Sequence, residues 1–358
     1  MNRRQFLKTV TAAALSLGSG TIPLRAEEST PGSKLLSEMP IIDAHAHPAM
    51  ILKAEPASLS VRAQAIRNMR QLGTVTSSFS AVGDVPKAAD FYDRIPATYE
   101  RVIEELDRAE KVIEFTGARI VRKTSDIPKL SDPGNKIGGF FALEGADVLE
   151  ADPGKIDDLY QYGVRAIGLV HYRINAFGDI MTAPPRHKGL TNEGKKLIGK
   201  MQELGIAVDV AHAHIDTLRD IVAISGKPLI DSHTSLTYTA ESLGTRSRSW
   251  KEMEMVAKTG GVVCTWPLAI RRRSLQRETF LDWAKEALAM SKRLGIEHIG
   301  LGTDTGGFFK ATRMIEGYKD IRDITKLADA MLQVGLTKED IAAFMAGNVL
   351  RVLKECIG

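Results

Sequence analysis

Metal-ligating and acid–base side chains recur at the ends of short apolar runs in this chain of 358 residues. These side chains are His45, His47, Glu144, His171, His212, His233 and Asp304. Imidazole nitrogens and carboxylate oxygens bind divalent cations, and a set without thiolate suits zinc best while tolerating manganese, cobalt or iron. The residue types therefore predict a metal site of the kind that activates water for hydrolysis.

The spacing of these residues predicts two neighbouring cations. His45 and His47 are two residues apart, so strand alternation places both imidazoles on one face, where they converge on one ion. His212 and His233 end two successive runs and meet a second ion. Glu144 ends a run between them, and its two oxygens can bridge cations about 3.5–4 Å apart.

Each of these features is weak alone, and the prediction depends on their combination. A lone buried histidine more often satisfies only its hydrogen bonds. A glutamate that ends an apolar strand is a stronger signal, because burying an unpaired carboxylate costs several kcal/mol. His214 is assigned to the surroundings of the site or to a loop, and His187 and His298 to the surface or the core.

Eight apolar runs alternate with helical stretches. The runs span residues 40–47, 74–84, 137–145, 164–172, 205–214, 228–233, 260–266 and 298–306. Helix-period sequence separates most of them, as in residues 98–115, 191–204, 250–259 and 280–294. This alternation predicts an α/β fold, a (β/α)8 TIM barrel whose functional residues lie at the C-terminal ends of the strands.

The first 26 residues are predicted to be a twin-arginine export signal. Arg3 and Arg4 precede the apolar stretch TVTAAALSLGSG, and the segment ends on the small residue Ala26. The apolar stretch is too short to cross about 30 Å of hydrocarbon. Cleavage near Ala26 predicts a periplasmic protein in which residues 27–358 form one hydrolase barrel; a disordered basic N-terminus is the alternative.

Charge and cysteine content limit the expected partners. Residues 1–26 contain four basic and no acidic residues, so the rest of the chain has 44 of each, and neither a nucleic acid nor an anionic membrane is an expected partner. Neither a lipid-attachment cysteine nor an apolar C-terminal tail predicts a membrane anchor. Cys264 and Cys356 are treated as structural, and a disulfide between them is an alternative. A homodimer is also compatible with the sequence.

The chain resembles the membrane (renal) dipeptidase family of the metal-dependent amidohydrolase superfamily. The most specific stretch is LEGADVLEADPGKIDDLYQYGVRAIGLVH, residues 143–171. Further similar segments are IDAHAHP, GLTNEGKKLIGKMQELGIAVDVAHA, IDSHTS, LGTDTGG and AGNVLRVL. Together they cover nearly all of residues 27–358, so the resemblance implies the fold and the reaction class of this family.

The resemblance assigns the predicted ligands to two metals. It implies that His45, His47 and Glu144 hold one metal. The other is implied to be held by Glu144, His212 and His233. The family usually has His-x-Asp on the first strand, and the second imidazole here makes the first metal site one charge more positive.

The resemblance also implies roles for residues outside the ligand set. His171 is implied to contact both the substrate and its developing oxyanion, and Asp304 to transfer the proton. An arginine after the sixth strand is implied to bind the terminal carboxylate of the substrate; counting places it at Arg246, with Arg248 as a substitute. Residues 271–273 are three arginines. They are either a solvated basic surface or the basis of a preference for substrates with acidic groups.

The expected activity is that of a binuclear dipeptidase acting on small dipeptides. A water shared by two cations has a pKa near 7 and supplies a bridging hydroxide to attack the peptide carbonyl. The implied site could accept a D-residue at the C-terminal position or open a β-lactam. The alternatives are a lactonase, deacylase or other superfamily hydrolase, which would not need Arg246, and a non-catalytic metal- or peptide-binding protein.

Overall fold

Eight parallel strands form the centre of the computed structural model, and each pairs with the next in chain order. They are β1 (Ile41–Asp43), β2 (Thr74–Val82), β3 (Gly138–Glu144), β4 (Val164–Gly168), β5 (Ala207–Asp209), β6 (Ile230–Leu236), β7 (Val262–Thr265) and β8 (Ile299–Leu301). All eight fall within or overlap the predicted runs. The predicted (β/α)8 barrel is therefore confirmed.

The residues that the structure describes are 30–49, 58–87, 93–134, 137–237, 245–272, 275–307 and 313–358. The predicted signal peptide, residues 1–26, and Arg273 lie outside them. Residues from Pro31 to Gly358 belong to one compact unit. Within the described residues, no helix combines the length and apolarity needed to span a membrane.

The barrel closes where the segments that follow β1 and β8 meet. The Ala44 amide donates to the Leu301 carbonyl at 3.0 Å, and Ala46 forms a parallel bridge with Thr305. Asp43, fully buried, accepts hydrogen bonds from the Thr303 amide at 2.7 Å and the Thr303 hydroxyl at 2.6 Å. These contacts bring the two ends of the sheet together.

Helices cover the outside of the sheet. They are α1 (Pro31–Ser37), α2 (Leu59–Leu72), α3 (Tyr99–Thr116), α4 (Lys155–Tyr162), α5 (Asn192–Leu204), α6 (Ile215–Ile224), α7 (Trp250–Lys258), α8 (Phe280–Leu294), α9 (Ile324–Gln333), α10 (Lys338–Ala342) and α11 (Asn348–Ile357). The four predicted helical stretches match α3, α5, α7 and α8 closely. Each of the four begins after a Ser or Thr whose hydroxyl accepts a backbone N–H of the first turn, which fixes its start.

Short elements complete the fold. Single turns of 3-10 helix span Thr124–Asp126, Ala146–Leu149, Ile296–His298 and Ile321–Asp323, and a π-helical turn spans Ala343–Gly347. Short strands add to the sheet at Arg119–Ile120 and Ser247–Arg248. Two antiparallel pairs that the sequence did not predict join Asp84–Pro86 to Arg94–Pro96 and Ile270–Arg272 to Leu275–Arg277.

Helix α11 closes one end of the barrel. Val349, Val352 and Leu353 are fully buried in one cluster with inward-facing residues of the strands. Cys264 and Cys356 belong to this cluster and are both free thiols, as expected for structural residues. Burial raises the pKa of the Cys264 thiol well above its usual range and that of Cys356 to about 11, so both are protonated and unreactive.

Several strands are shorter than predicted at their C-terminal ends. β1 ends at Asp43, two residues before His45, and β8 ends at Leu301, three residues before Asp304. The candidate residues there lie in the first turn of the following loop, because the backbone leaves the sheet to face the barrel mouth. Of the predicted metal ligands, only Glu144 and His233 lie within strands. The β1 histidines still share a face, since Ala46 between them is bridged to Thr305.

Candidate metal centre

Glu144, the last residue of β3, lies at the centre of five imidazoles. The distances from its carboxylate oxygens to the Nε2 atoms are 2.9 Å for His212, 3.3 Å for His233, 3.4 Å for His47 and His171, and 3.5 Å for His45. The chain turns sharply at Gly145, with φ of +88°, and a Cβ there would lie 2.8 Å from the Asp147 carboxylate. The glutamate and all five histidines are buried.

His45, His47 and Asp304 meet at the closure of the barrel. The His45 carbonyl accepts the Asp304 amide at 2.8 Å, and the His47 amide donates to Thr305 at 2.7 Å. Asp304 Oδ1 then lies 3.5 Å from His47 Nε2 and 3.9 Å from His45 Nε2. A Cβ on Gly307 would come within 2.0 Å of the same oxygen, so the last glycine of GTDTGG leaves room for the carboxylate.

His212 and His233 both contact Oε1 of Glu144, at 2.9 and 3.3 Å. Their Nε2 atoms are 3.2 Å apart. His212 has a left-handed backbone with φ of +66°, and Asp304 has one with φ of +54°. Such conformations cost of order 1–3 kcal/mol in a non-glycine residue and persist where the surrounding structure enforces them. At His212 the Met181 amide does so by donating to its carbonyl at 2.7 Å.

The electrostatics of the cluster keep three of the imidazoles neutral beside one ionised carboxylate. Burial holds the pKa of His45, His212 and His233 below the usual range, that of His233 at about 4. Burial alone raises the pKa of Glu144, but electrostatic interactions with His171 and His45 and hydrogen bonds from His212 and His233 hold it well below its usual range. A neutral imidazole is the form that binds a metal.

The arrangement fits divalent cations. Three groups of residues each have their ligand atoms within 4.8 Å of one another. They are His45, His47 and Asp304; His45, Glu144 and His233; and Glu144, His171 and His212. The Nε2 atoms of His45 and His47 are 3.1 Å apart, which is a hydrogen-bond distance. Burial keeps the His45 ring neutral, so one nitrogen of this ring has a lone pair. Several nitrogen lone pairs therefore converge on one buried carboxylate, and a cation between them would satisfy this donor set.

A serine and an aspartate support histidines on both sides of the cluster. Ser232 Oγ donates to Asp209 Oδ2 at 2.5 Å and accepts from His233 Nδ1 at 2.9 Å. The same hydroxyl lies 3.4 Å from His45 Nδ1. A hydroxyl has one donor and two acceptor positions, so Ser232 fixes the proton of His233 on Nδ1 and leaves Nε2 free. His47 is held likewise through Nδ1 to the Ser80 carbonyl at 2.9 Å.

His171 lies beside Glu144 and is held by a residue that sequence reasoning missed. Its Nδ1 donates to Asp84 Oδ1 at 2.7 Å. Asp84 also accepts Arg94 Nε at 2.8 Å and is fully buried. The signal was present, since Asp84 is the last residue of the predicted run 74–84, but the sequence offered no partner for it.

Asp304 combines a buried carboxyl with proximity to the cluster. Burial raises its pKa to about 7, against the lowering effect of His47. A carboxyl group that titrates near neutral pH can both accept and donate a proton there. This is consistent with the predicted proton-transfer role, which stays a prediction.

The two candidate arginines lie in different environments. Arg246 is half-buried: its Nη2 donates to the His233 carbonyl at 3.2 Å, and its guanidinium lies 5.2 Å from the Trp266 ring centre. Its Nε is buried without a partner, and no carboxylate among the described residues pairs with it. Arg248 is fully buried and paired with Asp231 and Glu252, so it is not available to a substrate.

The remaining candidates have local structural partners. Arg271 is exposed and pairs with Glu278, which matches a solvated basic surface. His214 caps α6 by accepting the Asp216 amide. His187 and His298 each contact a backbone carbonyl, of Asn175 and Gly261 respectively.

The barrel buries imidazoles and carboxylates at the C-terminal ends of its strands, which is the arrangement of a metal-dependent hydrolase. The fold is similar to that of an amidohydrolase from Pseudomonas aeruginosa, with a TM-score of 0.76 and 20% identity over 91% of this chain and 99% of that one. It is also similar to a metallopeptidase from Rhodobacter sphaeroides solved with a phosphinate mimic of L-Ala-D-Ala, with a TM-score of 0.72 and 18% identity over 89% of this chain and 99% of that one.

The sequence comparisons define the family. Residues 31–357 match the membrane dipeptidase family, peptidase family M19, and the chain belongs to that family. Dipeptidase verJ from Clonostachys rogersoniana is 26% identical over 340 residues, which cover 89% of this chain and 85% of that protein. The predicted family and the predicted enzyme class, a metallo-dipeptidase, are confirmed.

Replacing Ser232 should weaken metal binding without unfolding the barrel. In Ser232→Ala, His233 loses the acceptor that fixes its tautomer, and we expect metal affinity to fall about 10–100-fold. Competition with a chelator, followed by metal analysis, measures this change. Ser77→Ala is the matched control, since Ser77 is a buried serine whose hydroxyl donates to the Ser78 carbonyl. Equal affinities in the two variants would contradict the supporting role of Ser232.

Metal binding by the metal-free protein should strengthen as pH rises. Burial alone lowers the pKa of His47, but its hydrogen bond and attraction to Glu144 raise it to about 9. His47 is thus protonated at neutral pH and must lose a proton to bind metal, so the dissociation constant for Zn2+ should fall up to about tenfold per unit between about pH 7 and 9. Chelator competition across this range tests it. His47→Gln should flatten the dependence, and a wild-type affinity that is independent of pH would contradict the assignment.

Proposed function

We propose that this protein is a binuclear dipeptidase that cleaves the peptide bond of small dipeptides. The observation that carries the proposal is the position of Glu144, whose two oxygens face different histidines. Oε1 faces His212, His233 and His45, and Oε2 faces His47 and His171. One carboxylate between two groups of imidazoles is the arrangement of a bridging ligand.

The proposed ligands are those predicted from the sequence. His45, His47 and Glu144 would hold one cation, and Glu144, His212 and His233 the other. The nitrogen and carboxylate donors suit zinc, and also manganese, cobalt or iron. Divalent cations at such a site lower the pKa of water and polarise a carbonyl oxygen.

The surrounding side chains supply the remaining chemistry. His171 presents Nε2 beside Glu144, where an Nε2–H of the doubly protonated ring can donate to the oxygen of the attacked carbonyl and stabilise its negative charge. Asp304 Oδ1 faces the same space, and its carboxyl can accept the proton of the attacking water and return it to the leaving amine. Both groups are buried, so bulk water does not weaken their electrostatic effect.

Arg246 is proposed to bind the terminal carboxylate of the dipeptide. Its Nη2 donates to the carbonyl of His233 at 3.2 Å, so the guanidinium lies beside the proposed ligands. Its buried, unpaired Nε and the lack of a carboxylate partner among described residues leave hydrogen-bond donors for a substrate. A planar guanidinium binds a carboxylate through two parallel bonds, which would fix the scissile bond beside Glu144.

We further propose that a D-residue is accepted at the C-terminal position. The support comes from one structural neighbour, the Rhodobacter sphaeroides metallopeptidase solved with a phosphinate mimic of L-Ala-D-Ala. Recognition of that residue through its carboxylate alone would place few demands on its stereochemistry.

Hydrolysis of a dipeptide panel tests the proposed reaction. The panel contains L-L, L-D and acidic dipeptides, and the metal-free protein is reloaded with zinc, manganese or cobalt. We expect metal-dependent release of free amino acids, with two metal ions per chain. Glu144→Gln should lose activity by at least about 100-fold and bind fewer than two ions, because a neutral amide bridges cations poorly. Two bound ions without turnover of any dipeptide would redirect the assignment to a lactone or acyl amide.

Replacing Arg246 separates a dipeptidase from other hydrolases. A hydrogen bond to a charged group contributes about 1.5–3 kcal/mol, so Arg246→Ala should lower kcat/KM for dipeptides about 10–150-fold. Wild-type protein and variant should be alike on the same dipeptides with amidated C-termini. Arg219→Ala, at an exposed arginine on α6, is the control and should match wild type. An unchanged kcat/KM in Arg246→Ala would favour a lactonase or deacylase.

A further inference from the structure

Asp84 has three hydrogen-bond partners at the edge of the proposed active site. Oδ1 accepts His171 Nδ1–H at 2.7 Å and Arg94 Nε–H at 2.8 Å, and Oδ2 accepts the Tyr172 amide at 3.1 Å. The carboxylate has no exposed surface. All three donors point at one acidic side chain, so its position is fixed from three directions.

The backbone around Asp84 ties it to Glu144. The Gly83 amide donates to the Glu144 carbonyl at 2.8 Å, and the Gly83 carbonyl accepts the Ala97 amide at 2.8 Å. A Cβ on Gly83 would come within 1.8 Å of the Gly145 carbonyl oxygen, so only glycine permits this approach. Asp84 is therefore held at a fixed distance from the carboxylate at the centre of the cluster.

An acceptor at Nδ1 decides which nitrogen of His171 faces the site. A carboxylate only accepts hydrogen bonds, so the ring must carry its Nδ1 proton toward Asp84. Nε2 then points toward Glu144, with 3.4 Å between Nε2 and Oε2. Burial alone raises the pKa of Asp84, but His171 and Arg94 hold it below its usual range. Asp84 is therefore ionised.

We propose that Asp84 is a positioning residue that orients His171, so that Nε2 of this histidine meets the substrate oxygen. This inference rests on the proposed function, because it assigns to Asp84 the orientation of a group that would act in that reaction. It also gives Arg94 a role, since the Arg94 guanidinium bonds both the side chain and the backbone carbonyl of Asp84.

A purely structural ion pair between Asp84 and Arg94 is the competing explanation. The two explanations differ in what they predict for kcat and for the double variant. If Asp84 orients His171, replacing Asp84 lowers kcat, and this effect disappears when His171 is already replaced. If Asp84 is only part of a structural ion pair, replacing it lowers the stability of the fold, and this effect is the same with and without His171.

The kinetic test uses Asp84→Asn, which keeps the shape and removes the charge. With a dipeptide substrate and metal-loaded protein, we expect kcat to fall about 10–100-fold, with KM changed less than about threefold and metal content unchanged. In a His171→Asn background the same substitution should change kcat less than about twofold. Glu286→Gln is the matched control, because Glu286 is a buried carboxylate that accepts Arg277 and the Leu236 amide on the outer side of the barrel.

A second measurement needs neither dipeptide turnover nor a variant at Asp84. In zinc-loaded wild-type protein labelled with 15N-histidine, the His171 resonances are assigned by their loss in His171→Asn. A proton bonded to Nδ1 is expected. If wild type cleaves no dipeptide, the proposed reaction fails, and this spectrum still decides the orientation of His171.

Two results would overturn the inference. One is an Nδ1 of His171 without a proton in the zinc-loaded protein. The other is a kcat in Asp84→Asn that equals wild type, or that falls by the same factor with and without His171.

Discussion

The burial of one carboxylate, that of Glu144, among five imidazoles is the constraint on which the rest of this structure depends. An isolated charge in this position would cost several kcal/mol, so the surrounding nitrogens and any cations that they hold must be in place. The five rings come from the ends of β1, β4, β5 and β6, and Asp304 from the end of β8. The cluster therefore forms only when all these strands are in place in the barrel. The same packing of strands holds His212 and Asp304 at their positive φ angles.

The cluster is oriented from outside by hydrogen bonds to the second nitrogen of several rings. His47 bonds the Ser80 carbonyl, His171 bonds Asp84, and His233 bonds Ser232, which in turn donates to Asp209. In each case Nδ1 is engaged and Nε2 faces Glu144. This shared pattern fixes tautomer and ring plane together, which a metal-binding or catalytic imidazole needs. His212 is the exception, since its Nδ1 is buried without a partner.

The sequence predicted the repeating parts of this molecule and missed the irregular ones. All eight strands and four of the helices were visible, because apolar runs and 3.6-residue periodicity report burial in a barrel. Glu144 and the histidines could be found because their types and positions share one chemistry. Asp84 could not be assigned, because its contact with His171 spans 87 residues and depends on the Asp84–Pro86 and Arg94–Pro96 pair. Likewise, only packing distinguishes Arg248, neutralised by Asp231 and Glu252, from Arg246.

The closure of the barrel also sets the order of events during synthesis. Asp43 and Thr303, which join the segments after β1 and β8, are 260 residues apart in the chain. His45 and His47 meet Asp304 only across this junction. A ribosome-bound chain that has emerged only as far as β7 contains all five proposed metal ligands but not Asp304. The carboxyl group proposed for proton transfer is thus the last part of the site to be made, and it reaches His45 and His47 only when β8 closes the barrel.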